Sequence, residues 1–201
     1  MPPIRAPRVR GVRPLVLHSV VARDVFFVTC GAAAAAELAL QVRTQSEGAR
    51  DPSYVWMLAG SFAGVGLACA AAGASAHLPG PRWLPAVAGL VLMWIGFALR
   101  FWAVRTLGRF FRVEVTVDSD QTLVDTGPYA RLRHPSYTGL LVFYLGLGIA
   151  LDSYLSAAAL LLPLAAVVNR IHHEERLLLR ELGEPYRAYS ARTDRLIPGV
   201  W

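Results

Sequence analysis

The sequence predicts an all-α, polytopic membrane protein of about five transmembrane helices, the last two forming a hairpin, with a C-terminal amphipathic helix. Three observations carry this. Of the 201 residues, 55% are hydrophobic and only 17% charged, against roughly 25% charged in an average soluble domain. Several apolar runs approach or reach the roughly 20 residues that cross a bilayer. The charges gather at the edges of those runs: 20 basic residues, every one of them Arg, oppose 14 acidic ones for a net charge of +6. Arginine at run edges fits loops beside a membrane better than a nucleic-acid partner.

Residues 1–22 read as a basic N-terminal tail carrying Arg5, Arg8, Arg10 and Arg13. No clean small-residue cleavage site follows, so a removed signal peptide is not expected. Residues 23–83 form an N-terminal transmembrane region. Its first span, 25–42, is weakened by Glu37. Its second, 54–76, places Gly60, Gly64, Gly66 and Gly73 where small residues allow close helix packing in lipid. A turn at 77–85 leads into the third span, 84–107, where Trp83, Trp94 and Trp102 supply interfacial or packing aromatics.

Residues 108–136 are polar and irregular, with an extended stretch VEVTVDSDQTLV and a turn at DTGPY. Apolar arms at 137–151 and 154–169 flank a break at Asp152-Ser153. Each arm with its flank is about 18 residues, roughly 27 Å of helix, close to the 30 Å or so of a bilayer core. Beyond Arg170 an amphipathic helix runs to about Leu182, where Gly183 and Pro185 end it.

The positive-inside rule asks for both the tail and the Arg-rich 105–133 region in the cytoplasm, which three crossings between them forbid. The denser C-terminal arginines place 105–136 and 170–201 inside. Either the tail is then outside, or the first segment does not cross. Cys30 and Cys69 lie in apolar runs and read as buried hydrophobes. The five histidines (18, 77, 134, 172, 173) are too scattered for a di-iron cluster, and His172-His173 lacks HExxH spacing, so no metal is expected.

The hairpin folds its polar ends together. Pro135 suits the first helical turn and pushes His134 to the N-cap, beside the positive end of the helix dipole. With Arg131 and Arg133 adjacent, that end suits a carboxylate or phosphate, or else lipid phosphates. At the other end Arg170 and Glu174 share a helix face and Glu175 lies beside them. Ionisable groups at a membrane's edge are read as functional by default.

GPYARLRHPSYTG, a short hairpin, and a tail of pattern EExxLxxxxGxxYxxY together resemble the isoprenylcysteine carboxyl methyltransferase family, related to the membrane phospholipid methyltransferases. The preceding ALRFWAVRTLGRFF fits as well, so the likeness covers about residues 85–198. It implies that 84–201 is a methyltransferase catalytic region using S-adenosyl-L-methionine. By that resemblance Gln121, Thr122, Leu123 and Val124 would line the adenosine pocket, Gln121 departing from the His often found there. Tyr129, His134, Pro135, Ser136, Tyr137 and Glu174 would hold the donor, with Glu175 completing the acidic pair. Arg170, Glu174 and His134 would be the catalytic set, Arg170 orienting the substrate.

The implied acceptor is lipophilic and enters from the bilayer: an isoprenylcysteine-type C-terminus or a small isoprenoid or lipid acid, in a bacterial inner membrane with the site facing the cytoplasm. A lipid N- or S-methyltransferase is the alternative. Rivals are an NADPH-dependent membrane lipid reductase, with Arg131 and Arg133 on the 2′-phosphate, and a non-catalytic scaffold. Gly139 reads as a close-approach position for the donor, and Gly146-x-Gly148 as helix packing or a weak donor motif. Tyr186 and Tyr189 are open between packing and the site; Arg192 and Arg195 read as surface or lipid-facing.

Overall fold

The computed structural model describes residues 20–44, 52–72, 77–81, 83–111 and 123–201. The expected tail up to residue 19, Gly73, and Gln121 and Thr122 of the adenosine pocket lie outside them, as does most of the expected extended stretch. The elements are α1 (Val20–Thr44), α2 (Pro52–Ala70), α3 (Trp83–Leu107), α4 (Pro135–Ala150), α5 (Tyr154–Ala159), α6 (Leu161–Leu182) and α7 (Glu184–Ser190). Short 3₁₀ turns occupy Gly108–Phe110 and Gly127–Ala130. Among the described residues there is no strand; a single parallel bridge joins Leu132 to Asp194.

Three helical stretches are long and apolar enough to cross a membrane: Pro52–Ala70, Trp83–Leu107 and Tyr154–Leu182, with Pro135–Ala150 a shorter apolar helix. The expected first span is a helix of 25 residues. It stands outside that set and carries Arg23, Asp24, Glu37 and Arg43. The outward faces remain apolar, with Trp56, Phe62, Trp94, Phe101 and Trp102 all more than half exposed. A helix hydrophobic all round belongs in lipid or in a large core. Trp83, Trp94 and Trp102 therefore face outwards rather than packing inside.

Glycine sets the tightest contact. A Cβ on Gly96 would lie 2.4 Å from Phe143 N, and one on Gly139 would lie 2.6 Å from Gly96 O and Arg100 N. Gly89 and Gly146 repeat the arrangement further down, 2.6 Å from each other's carbonyl oxygens. So α3 and α4 meet backbone to backbone, as small residues permit in a membrane. This corrects the sequence reading of Gly139: its missing side chain admits α3, not a donor. Gly148 likewise packs on Leu160 and Ala157. On α2, Gly64 faces Pro163 and Gly60 faces Ala166, whereas Gly66 meets nothing.

The hairpin's far end is pinned to the α2–α3 connection. Asp152 adopts a positive φ of 50°; its carboxylate pairs with His77 Nδ1 at 2.9 Å and accepts from the Leu78 amide at 3.0 Å. Ser153 caps α5 and donates to Ala71 O at 3.1 Å, and Ser156 donates to Ala68 O at 2.7 Å. The second arm breaks at Leu160 because Pro163 has no N–H for the carbonyl of Ala159. It then resumes as α6, which runs through the expected amphipathic stretch to Leu182. Gly183, at φ 59°, ends it as expected.

Candidate functional site

The two ends of the hairpin do meet. His134 is the N-cap of α4 and Pro135 its first residue; both are buried, His134 to 4% exposure. The preceding residues are held by the C-terminal tail, which lies alongside them. Arg133 N–H donates to Asp194 O at 2.7 Å, Asp194 N–H to Arg131 O at 3.0 Å, and His134 N–H to Arg195 O at 3.1 Å. Tyr189 hydroxyl donates to Tyr129 O at 2.8 Å and Leu132 O at 3.2 Å. Burial pushes the Tyr189 hydroxyl up to about 12, so it stays protonated and able to donate. Thr138 Oγ1 donates to Leu196 O at 2.9 Å.

Glu175 is the hub of this join. One carboxylate oxygen accepts from Arg133 Nε at 2.8 Å and the other from Arg195 Nε at 2.8 Å, while His134 Nε2 lies 3.4 Å away. Arg133 Nη1 donates to Ser190 O at 2.8 Å and also to Thr193 O. The sequence suggested a surface or lipid-facing Arg195; it is half-buried instead, reaches inward to Glu175 and also covers the Trp201 ring at 5.2 Å. Arg192 is at the surface, on Asp125 at 2.5 Å.

Glu174 belongs to a second set, one residue along α6. Tyr137 hydroxyl donates to Glu174 Oε2 at 2.9 Å and accepts from Arg170 Nε at 3.3 Å, so tyrosine bridges the Arg–Glu face. Tyr137 stacks on His134 at 5.7 Å between ring centroids. The Arg170 guanidinium is 1% exposed, donates to Ser53 Oγ at 2.5 Å and lies over the Tyr54 ring. Ser136 turns the other way: its Oγ and O accept from Arg100 Nη1 at 2.6 and 3.3 Å. Leu123 and Val124 are half-buried in irregular backbone leading to the Gly127 turn. Tyr129 is buried, and desolvation together with Glu174 pushes its hydroxyl up.

The sequence reading passed over Arg100, took Glu37 only as a weakness in the first span, and left Tyr186 open between packing and the site. Tyr186 is 3% exposed, and its hydroxyl has no hydrogen-bond partner among the described residues. Desolvation, then the carboxylates of Glu175 and Glu174, push it up. The other two are Arg100 and Glu37, paired across α3 and α1. They line an apolar cavity of ≈ 530 Å³ bounded by α1 to α4 through residues such as Phe26, Tyr54, Phe97 and Phe143. Among the described residues no group of three or more His, Cys, Asp or Glu could hold a metal ion. His172 and His173 are exposed.

The chain is similar to known proteins. The sequence profile of the isoprenylcysteine carboxyl methyltransferase family matches residues 88–180. A probable protein-S-isoprenylcysteine O-methyltransferase of Oryza sativa subsp. indica is 32% identical over 121 residues, 59% of this chain and 63% of the relative. Protein-S-isoprenylcysteine O-methyltransferase B of Arabidopsis thaliana is 32% identical over 126 residues, 59% of this chain and 62% of its own. The Homo sapiens protein-S-isoprenylcysteine O-methyltransferase is 32% identical over 121 residues, but only 42% of its length is covered. The solved structure of the eukaryotic intramembrane Ras methyltransferase, isoprenylcysteine carboxyl methyltransferase, superposes with a TM-score of 0.53 at 30% identity. That superposition covers 77% of this chain and 55% of that one. The chain spans less than two thirds of these relatives' length. Over residues 88–180, the chain is similar to the isoprenylcysteine carboxyl methyltransferase family.

Proposed function

We propose that the protein is an integral membrane methyltransferase that uses S-adenosyl-L-methionine to methylate the carboxylate of a lipophilic acceptor, an isoprenylcysteine-type end or a related isoprenoid or lipid acid. The observation that carries this reading is a juxtaposition. A polar basin built from His134, Tyr137, Arg170 and Glu174 adjoins an apolar cavity, with Tyr54 belonging to both. The relatives' names supply the acceptor class.

The basin suits the donor. A buried, unpartnered hydroxyl costs about 1–3 kcal/mol, and Tyr186 carries one within the electrostatic reach of Glu174 and Glu175. A polar ligand there would satisfy it. Glu174, Tyr137, Tyr129 and Tyr186 would face the donor, with the start of α4 at His134 offering its N–H groups to an anionic end. Leu123 and Val124, with Gln121 and Thr122, would cover the adenosine. When bound, the donor supplies a methyl group on a positively charged sulfur.

The chain's own part is positioning. A carboxylate nucleophile needs no general base, so alignment and a dry surrounding carry the catalysis. Arg170 and Glu174 clamp the Tyr137 hydroxyl from two sides, and Arg170 lies over the Tyr54 ring that lines the cavity. Glu175, Arg133 and Arg195 close the tail over the basin. His134 is placed to hold the donor, or to take a proton if the acceptor is an amine or thiol. Arg133 is spent on Glu175 and tail carbonyls, which weighs against a 2′-phosphate pocket and the reductase reading. The density of arginines at the end that carries the basin supports a site facing the cytoplasm from a bacterial plasma membrane.

The test is calorimetric titration of detergent-purified protein with S-adenosylhomocysteine, for wild type and Glu174→Ala. Binding by wild type that the variant loses supports the reading. A folded wild type that does not bind overturns it, and NADPH is then titrated.

A further inference from the structure

Arg100 sits seven residues before the end of α3, roughly 10 Å along the helix, inside the wall of the apolar cavity. Its guanidinium grips the Glu37 carboxylate as a two-point fork: Nε donates to Oε1, and Nη2 to Oε2 at 2.7 Å. The third nitrogen is braced on Ser136 Oγ and O at 2.6 and 3.3 Å, so α4 fixes the plane of the fork. Ser136 lies in the first turn of α4, and the Arg100 guanidinium is within electrostatic reach of Tyr137 and Tyr129, which brings the fork near the start of α4. Arg170, by contrast, is engaged by Tyr137 and Ser53 behind the Tyr54 ring.

We propose that Arg100 is the clamp for the carboxylate of the lipophilic acceptor, and that Glu37 holds the clamp as a stand-in until the acceptor displaces it. The inference rests on reading the cavity as the acceptor's. A planar guanidinium matches a carboxylate at two points and is the preferred partner where such recognition is needed. Intramembrane ionisable residues that line a cavity mark ligand paths. The two partners are unequal: the Arg100 side chain is 13% exposed and that of Glu37 36%. The arginine is the fixed half and the acid the movable one. An incoming carboxylate replaces like with like, leaving the charge and hydrogen bonds of Arg100 unchanged. The released Glu37 is seven residues from the end of α1, close enough to the polar edge to be solvated. The rest of the cavity, walled by Phe26, Phe97 and Phe143, takes the hydrocarbon.

The decisive comparison is between an acid and its own methyl ester, which differ in charge and hardly in shape. N-acetyl-S-farnesylcysteine and its methyl ester, and oleate and methyl oleate, are titrated into detergent-purified full-length protein by intrinsic fluorescence. Wild type should prefer the acid of at least one pair by about tenfold. Arg100→Gln should abolish the preference. Glu37→Gln, which keeps the shape but releases the fork, should tighten the acid several-fold and leave the ester unchanged. A preference confined to the farnesyl pair assigns an isoprenoid acceptor; one in both pairs assigns any lipophilic acid. No acid preference, a preference that survives Arg100→Gln, or unchanged or weaker acid binding in Glu37→Gln overturns the clamp. Should Arg100→Gln not fold, Glu37→Gln decides alone. S-adenosylhomocysteine titrated into the same preparations keeps the readings apart. Acid preference without it retains the clamp and rejects the methyltransferase; the converse rejects the clamp only.

Discussion

Replacing Glu175 by Gln should unclasp the C-terminal tail. The carboxylate accepts from Arg133 Nε and Arg195 Nε, each at 2.8 Å, and its side chain is only 10% exposed. A hydrogen bond to a charged group contributes about 1.5–3 kcal/mol, and the Arg133 side chain, at 9% exposure, belongs in that range. Arg195 is 30% exposed, so solvent holds its share to about 1 kcal/mol or less. The sum is a loss of roughly 2–4 kcal/mol, below the 3–5 kcal/mol typical when one partner of a fully buried pair is removed. The amide of Gln also turns an NH₂ towards one guanidinium. The loss falls on a local unit, because Arg133 carries the Ser190 and Thr193 carbonyls as well. The assay is limited trypsin digestion in detergent, read at Arg187, Arg192 and Arg195. Local opening governs such cleavage, and each 1.4 kcal/mol is about tenfold. Cleavage in the tail should quicken at least tenfold while the helical spans stay intact. A rate within about twofold of wild type would refute the hub.

Further expectations follow from the same geometry. Gly96→Ala forces a Cβ to 2.4 Å from Phe143 N and 2.5 Å from Gly139 O; neither backbone can retreat alone, so the loss should reach or exceed the usual 1–3 kcal/mol or so of overpacking. It is read as a lowered unfolding temperature, with Gly66→Ala, which meets nothing, as the unchanged control. Tyr186→Phe should leave the empty protein as stable as wild type or more so, by up to about 1 kcal/mol, yet weaken S-adenosylhomocysteine binding; a fall in stability with unaltered binding would assign the hydroxyl to packing. Tyr189 gives a pH window. Burial raises its hydroxyl from the usual value near 10 to about 12 in the folded protein. Its contribution is therefore whole below about pH 10 and fades as pH rises towards 12. The difference in unfolding temperature between wild type and Tyr189→Phe should be flat to pH 10 and then shrink.

The sequence reading and the structure part company where distant elements meet. Hydropathy and punctuation placed α2, α3 and the hairpin, since runs of apolar residues, Asp152-Ser153 and Gly183 are local signals. His134 at the N-cap follows from Pro135 alone. The facing of Glu174 and Glu175 onto the start of α4 follows from hairpin length. Local signals do not say which carboxylate serves which purpose. Glu174 goes to Tyr137, and Glu175 to Arg133 and Arg195, because a helix turns 100° per residue and the tail passes on one side only. Arg195 and Tyr186 depended on that tail folding back along Leu132, a long-range pairing with no periodicity. Gly139 looked like room for a ligand; its neighbour is another helix whose own glycine, Gly96, faces it. Arg100 and Glu37 were each visible as charges in apolar runs, but 63 residues separate them, and Glu37 registered only as a weakness in the first span.

The most direct measurement is transfer itself. Membranes carrying the protein are supplied with S-adenosyl-L-methionine labelled in its methyl group and with N-acetyl-S-farnesylcysteine, and the extracted lipid is treated with mild base. Label that enters the lipid fraction and is released by base as methanol, in wild type but not in Arg170→Ala or Glu174→Ala, is the expected result. Label that resists base, as on nitrogen or sulfur, or no transfer by protein that binds S-adenosylhomocysteine, would contradict a carboxylate acceptor.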